Sequence, residues 1–205
     1  MRAPLKTVAL SAAALAVSLG LAPQIARAEG VDPAAGQIEA FDSALLSTMK
    51  AGGGVNSRFH KLEPAVERAF NLPAMAQYTV GPAWAKFTDA EKASVLEAFT
   101  RYSVANYASN FSSYSGETFT VEPKVDERGP DKLVHTRLVP SHHAPVDIVY
   151  RMRQSGGTWK IIDIFYQGSI SQLTTRRSDF AATVASGGAS ALVAHLNALT
   201  DKLMK

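Results

Sequence analysis

The sequence predicts an α+β domain: helices packed on a four-stranded antiparallel meander sheet. Two observations carry the core of this reading. Apolar residues recur at helical spacing up to Phe111, and after Tyr114-Ser-Gly116 the period switches to two. The strand-like segments are then joined by connections too short for crossover helices, which makes neighbouring strands antiparallel. Helices first and strands next segregate the helices to one side of the sheet.

The chain begins with a leader-like segment. Arg2 and Lys6 precede a fourteen-residue apolar run, Val8 to Leu21, and Ala26-Arg27-Ala28 fits a small-x-small cleavage site. The run is shorter than the ~20 residues of a membrane span. The expectation is a secretory signal over 1–28, cleaved after Ala28, and a single domain over 29–205 in the periplasm. There is no cysteine, which excludes disulfides, thiolate metal sites and cysteine nucleophiles. The formal charge of +3 belongs to the leader: removing Arg2, Lys6 and Arg27 from 21 basic residues leaves 18 against 18 acidic ones. A neutral mature chain gives no electrostatic case for nucleic acid.

Along the mature chain, residues 29–36 read as a loose start. Ile38, Phe41, Leu45 and Met49 mark a helix over Ile38–Lys50, and Ala51-Gly-Gly-Gly54 breaks it. A second helix covers Asn56–Phe70 with Pro64 as a kink point, and a short one Pro73–Thr79, closed by Gly81. Thr88-Asp-Ala-Glu91 is a capping box that starts a long helix to about Asn110. Val95, Leu96, Phe99, Tyr102, Tyr107 and Phe111 give that helix an aromatic stripe. Strands are expected at Glu117–Asp126, Lys132–Val139, Pro145–Gln154 and Thr158–Gln167, the last two joined by a Gly156-Gly157 turn. Two helices end the chain, Ser171–Ser186 and Ala189–Met204, separated by Gly187-Gly188.

If Ser155 pairs with Thr158, strict alternation puts Tyr150 opposite Asp163 and Met152 opposite Ile161. Val146, Ile148, Tyr150 and Met152 then share a face with Trp159, Ile161, Asp163 and Phe165. This apolar face and the aromatic helix stripe either line a ligand pocket or form an ordinary core.

The segment Thr158–Phe180 resembles the end of the sheet in the MlaC-type, toluene-tolerance family of periplasmic lipid carriers. Its run Ile170-Ser-Gln-Leu-Thr-Thr-Arg-Arg-Ser-Asp-Phe180 is most similar to the hopanoid-associated HpnM branch. Phe70-Asn-Leu-Pro-Ala-Met75-Ala, then Gly81, Trp84, Thr88, Glu91, Phe99, Tyr107 and Tyr114, are similar to the family's central helical segment; Pro73 and Pro82 depart from it. The resemblance implies a curved sheet of NTF2-like or cystatin-like form, with its helices enclosing an apolar cavity for lipid tails that holds a phospholipid or a hopanoid. It also implies two partners: an inner-membrane MCE-type transporter complex and an outer-membrane lipoprotein–porin complex. The candidate lining on that basis is Met75, Tyr78, Trp84, Phe99, Tyr102 and Tyr107 from the helices. From the sheet it is Phe119, Val121, Leu138, Val146, Ile148, Tyr150, Met152, Trp159, Ile161 and Phe165. The expected mouth lies near Pro73–Thr79 and the loop to Thr88.

Asp163 sits mid-strand among apolar neighbours, where a carboxylate needs a partner. One reading pairs it structurally with Arg176, Arg177 or the Tyr150 hydroxyl. The other makes it a general base with Tyr150 as donor, in a cone-shaped α+β enzyme. Arg151, Arg153, Arg176 and Arg177 are either a basic rim for a phosphate head group or an acidic partner, or solvated charge. His142-His143 lacks a nearby third ligand, and His60, His135 and His195 are scattered, so no metal is expected. No phosphate-binding loop, nucleophile elbow or His-Glu-x-x-His helix occurs, and neither cofactor nor enzymatic activity is expected. A ligand-free periplasmic adaptor with a solid core is a further alternative.

Overall fold

The computed structural model describes residues 31–141 and 143–205; the expected leader over 1–28 and His142 lie outside them. Helix α1 spans Pro33–Ala51. It starts earlier than expected because Asp32 accepts the Ala34 amide at 2.8 Å and Pro33 presets the first helical position. Ile38, Phe41, Leu45 and Met49 form its buried stripe. Helix α2, Val55–Ala69, runs on through Pro64, with Leu62, Ala65, Val66 and Ala69 buried on either side of it. The lost amide bond is outweighed by packing there. Arg58, itself buried, donates from Nε to the Ala108 carbonyl at 2.8 Å and from its guanidinium to Gly53, so one cation satisfies carbonyls near a helix end and in the glycine loop.

Helix α3 is Leu72–Val80, followed by a 3-10 turn over Gly81–Lys86. Helix α4 spans Asp89–Asn110, and the capping box forms as expected: Glu91 Oε2 takes the Thr88 amide at 2.8 Å and Thr88 Oγ1 takes the Glu91 amide at 3.2 Å. Helix α5 spans Gln172–Leu203, broken at Gly187 and Gly188 as the paired glycines predict.

The sheet has five strands in the order β1-β2-β3-β4-β5, not four, and consecutive strands are antiparallel. They are β1 Thr118–Arg128, β2 Asp131–Val139, β3 Val146–Ser155, β4 Thr158–Tyr166 and β5 Ile170–Ser171. The fifth is two residues long and folds back on Phe165 and Tyr166 just before α5 begins, too short to leave a periodic signal. The sheet remains open, with β1 and β5 as its ends. Its Gly156-Gly157 turn, with φ of +59° and +80°, closes the β3–β4 hairpin in the geometry that two glycines allow.

The register corrects one expectation. Ser155 pairs with Thr158 and Met152 with Ile161, as anticipated. A bulge then shifts the ladder by one, so Arg151 pairs with Asp163 and Tyr150 with Ile164. One extra residue swaps the faces of everything beyond it. Ile164 and Tyr166 join Tyr150 and Ile148 on the inner face, while Phe165 turns to the outer face with Val149 and Asp163 is aligned with Arg151. The chain between α2 and α3 docks at the bulge: the Asn71 amide bonds the Ile161 carbonyl at 2.9 Å, and Phe70 bridges Ile161.

All five helices share a core with the inner face, where Val134, Tyr150, Met152 and Ile161 are buried. On the outer face Asp131, its side chain inaccessible, accepts from both Arg151 and Arg153 at 2.5–2.9 Å. Both arginines hold its carboxyl below the usual range, against the desolvation that would raise it.

Candidate functional site

A cavity of about 480 Å³ lies between α4, the start of α5 and the inner face of the sheet, within the size range of small-molecule sites. Eight of the expected residues border it: Met75, Phe99, Tyr107, Leu138, Ile148, Tyr150, Asp163 and Arg176. Met152 and Ile161 are wholly inaccessible and belong to the core. Phe165 is carried to the other face by the bulge. Phe119, Val121, Val146 and Trp159 pack on the inner face without bordering the cavity, and Lys132 lies 4.9 Å from the Trp159 ring centre. Trp84 packs beside Phe87 on the 3-10 turn. Tyr78 and Arg177 pair with each other at 5.2 Å beside smaller surface clefts.

Sequence reasoning missed several lining residues. Phe70 closes one side, with Phe41 edge-on to both Phe70 and Tyr107 at 5.3 and 5.1 Å, and Phe111 stacks on Tyr107 at 5.8 Å. Ile164 and Tyr166 arrive through the bulge, which alternation does not show. Ser103, Asn106 and Asn110 also face the cavity. They lie on the same face of α4 as Phe99 and Tyr107, and extending the stripe by helical spacing regardless of polarity would have found them. Asn110 and Tyr166 are the exposed members of the lining, so the cavity opens at the end of α4 and the end of β4. The segment expected at the mouth contributes only Met75.

Among the described residues the Asp163 carboxylate forms no ion pair with an arginine and no hydrogen bond with Tyr150. Its carboxylate accepts the Ser171 hydroxyl at 2.6 Å, the Leu173 amide at 3.1 Å and the Ile164 amide at 2.8 Å. It therefore ties β4 to the first turn of α5, where Ser171 caps the helix by accepting the Thr174 amide. With its oxygens committed to these donors, the carboxylate is a structural clamp, and the register sets Tyr150 against Ile164. Asp163→Ala should lower stability by about 3 kcal/mol, through two or three lost bonds to a charged acceptor. Asp163→Asn, which keeps an acceptor oxygen, should lose less. Urea denaturation of both variants measures this; equal losses would remove the clamp assignment.

Burial pushes the Tyr107 phenol well up, against the opposing field of Arg176, and it pushes Tyr150 up as well, with Tyr107 and Asp42 adding to it. Both phenols stay protonated in the cavity wall. Behind them on α1, Asp42 is buried with neither oxygen hydrogen-bonded among the described residues. Burial, with Glu39 adding to it, raises its carboxyl to about 8. Among the described residues no group of three or more His, Asp or Glu is placed to hold a metal. No helix among them is long and apolar enough to cross a membrane.

The model of the MlaC protein family matches residues 39–198, most of the chain. The chain belongs to the MlaC family. The matched stretch runs from within α1 to within α5 and contains every residue of the cavity wall. A similar fold is met in a solved structure, the phospholipid-binding protein from Ralstonia solanacearum in complex with a phospholipid. That structure superposes with a TM-score of 0.74 at 20% identity, covering 85% of this chain and 100% of the other. Comparison with curated proteins gives no match.

Proposed function

We propose that this MlaC-family protein is a periplasmic lipid carrier that shields the tails of a phospholipid in the cavity and hands it between membrane complexes. The observation that carries this reading is the cavity itself: an opening walled by Phe99, Phe111, Ile148 and Ile164 in a fold that, in the Ralstonia protein, is found with a phospholipid. The leader-like residues 1–28 support export. The work is shielding rather than reaction. Each CH₂ withdrawn from water contributes roughly 0.8 kcal/mol, so a sixteen-carbon chain gains ~13 kcal/mol gross. Release of such a tail into water is slow, and handover calls for partners that open the cavity: an inner-membrane MCE-type complex and an outer-membrane lipoprotein–porin complex. The HpnM-like run Ile170–Phe180 favours a hopanoid as the alternative cargo.

Native mass spectrometry of the protein from its own host's periplasm, with lipid extraction of the same sample, tests the proposal. The expected result is one stoichiometric lipid adduct, whose mass separates phospholipid from hopanoid. A bare mass together with an empty extract would overturn the carrier reading in favour of an adaptor.

A further inference from the structure

Among the described residues Arg176 is the one cation in the cavity wall. It is half-buried, lies 4.7 Å from the centre of the Tyr102 ring, and has no carboxylate partner among the described residues. The other arginines of interest are used elsewhere. Arg151 and Arg153 share Asp131 on the outer face. Arg177 lies against Tyr78 and the backbone of Gly81, where a Cβ would come within 3.1 Å of its guanidinium. The one carboxylate in the wall among the described residues, Asp163, accepts from Ser171, Leu173 and Ile164. A guanidinium that has given up part of its hydration without gaining an anion is in an unfavourable state that an oxyanion relieves, and its planar fork suits phosphate.

The wall beside it is polar in a way that acyl tails do not require. Ser103 and Asn106 donate to carbonyls of their own helix, those of Phe99 and Tyr102, at 2.7 and 3.0 Å. The Asn106 carbonyl oxygen is thereby left as an acceptor, with Asn110 one turn on and Gln172 on α5 also in the wall. We infer that Arg176 binds the phosphate of the cargo's head group in the cavity, with the Asn106 carbonyl oxygen accepting from an adjoining hydroxyl and the side-chain amides of Asn110 and Gln172 donating to its ester oxygens. The protein then selects phosphate-bearing lipids over uncharged lipids with the same tails. This rests on the carrier reading. The charge of Arg176 acts within the cavity, since its field opposes the burial that raises the Tyr107 phenol. An uncharged polycyclic cargo would leave it unpaired.

The test is a competition read by native mass spectrometry. The delipidated protein is offered equal amounts of dioleoyl phosphatidylglycerol and dioleoylglycerol in a mild detergent. The wild type should favour the phospholipid by about tenfold or more, the worth of a charge-assisted hydrogen bond. Arg176→Gln should bring the ratio close to one with the dioleoylglycerol adduct unchanged, and Arg176→Lys should keep part of the preference. An unchanged ratio in Arg176→Gln, or an equal loss of both adducts, would overturn the assignment. Wild-type protein that takes both lipids equally would leave the carrier standing and remove phosphate selection. Wild-type protein that takes neither would remove both.

Discussion

Asp42→Asn should make the protein more stable at pH 8, although it alters a buried residue. Asp42 lies in the core of α1 with both oxygens lacking a hydrogen bond among the described residues, and its folded carboxyl titrates at about 8. In the unfolded chain the same group titrates near 3.9. Between these values the folded protein holds a proton that the unfolded chain has released. Stability therefore falls as pH rises from about 4 and levels off above about 8. The interval is about four units, each worth ~1.4 kcal/mol, so the penalty at pH 8 is at most on the order of 5 kcal/mol. Asparagine keeps the shape and does not ionise, and Asp42 accepts no bond that the change would break. Urea denaturation at pH 5, 7 and 8.5 should show a gain in the variant that grows with pH, reaching about 2–4 kcal/mol. Parallel pH profiles for the two proteins would show that Asp42 is not held protonated by burial.

Ser103→Trp should empty the cavity of lipid while leaving the fold intact. Ser103 sits half-buried on α4 facing the cavity, and its hydroxyl bonds only the Phe99 carbonyl of its own helix. That internal bond is no support to the helix, and the propensities of Ser and Trp are close, so the local effect is about 0.5 kcal/mol or less. An indole at this position projects into a space of about 480 Å³. Co-purified lipid per protein should fall by at least about tenfold, given that overfilling a packed space costs roughly 1–3 kcal/mol. The far-ultraviolet circular dichroism should match the wild type. Undiminished lipid in a folded variant would place the cargo elsewhere and take the carrier mechanism with it.

The elements were legible where local chemistry dictates them. Thr88 and Glu91 define a helix start by satisfying each other's amides, and Gly156-Gly157 defines a hairpin by supplying two positive φ angles. Each signal lies within a few residues, so it survives in the sequence. The MlaC-family resemblance could likewise be read from the order of Phe70, Trp84, Phe99, Tyr107 and the run from Ile170, and the family match over 39–198 bears it out. The lipid branch and the lining residues remain proposals.

What the tertiary structure alone decided begins with one residue. The bulge after Arg151 places Ile164 and Tyr166 on the inner face and Phe165 on the outer, against period-two reasoning, and it aligns Asp163 with Arg151 although Asp163 still borders the cavity at its edge. A bulge is set by the chain that docks against it, here Phe70 and Asn71 at Ile161, and such a contact between distant residues has no local signature. The same holds for the cavity. Met152 is sealed in the core while Tyr150, two residues away on the same face, borders open space. Hydropathy cannot separate them, because both avoid water; only the placement of α4 and α5 over the sheet determines which one meets a ligand. The helices, the four long strands and the family are legible in the sequence, through short-range hydrogen bonding and the order of side chains along the chain; the two-residue β5 is not. The faces, the partners of Asp163 and the space for a lipid were decided by long-range packing.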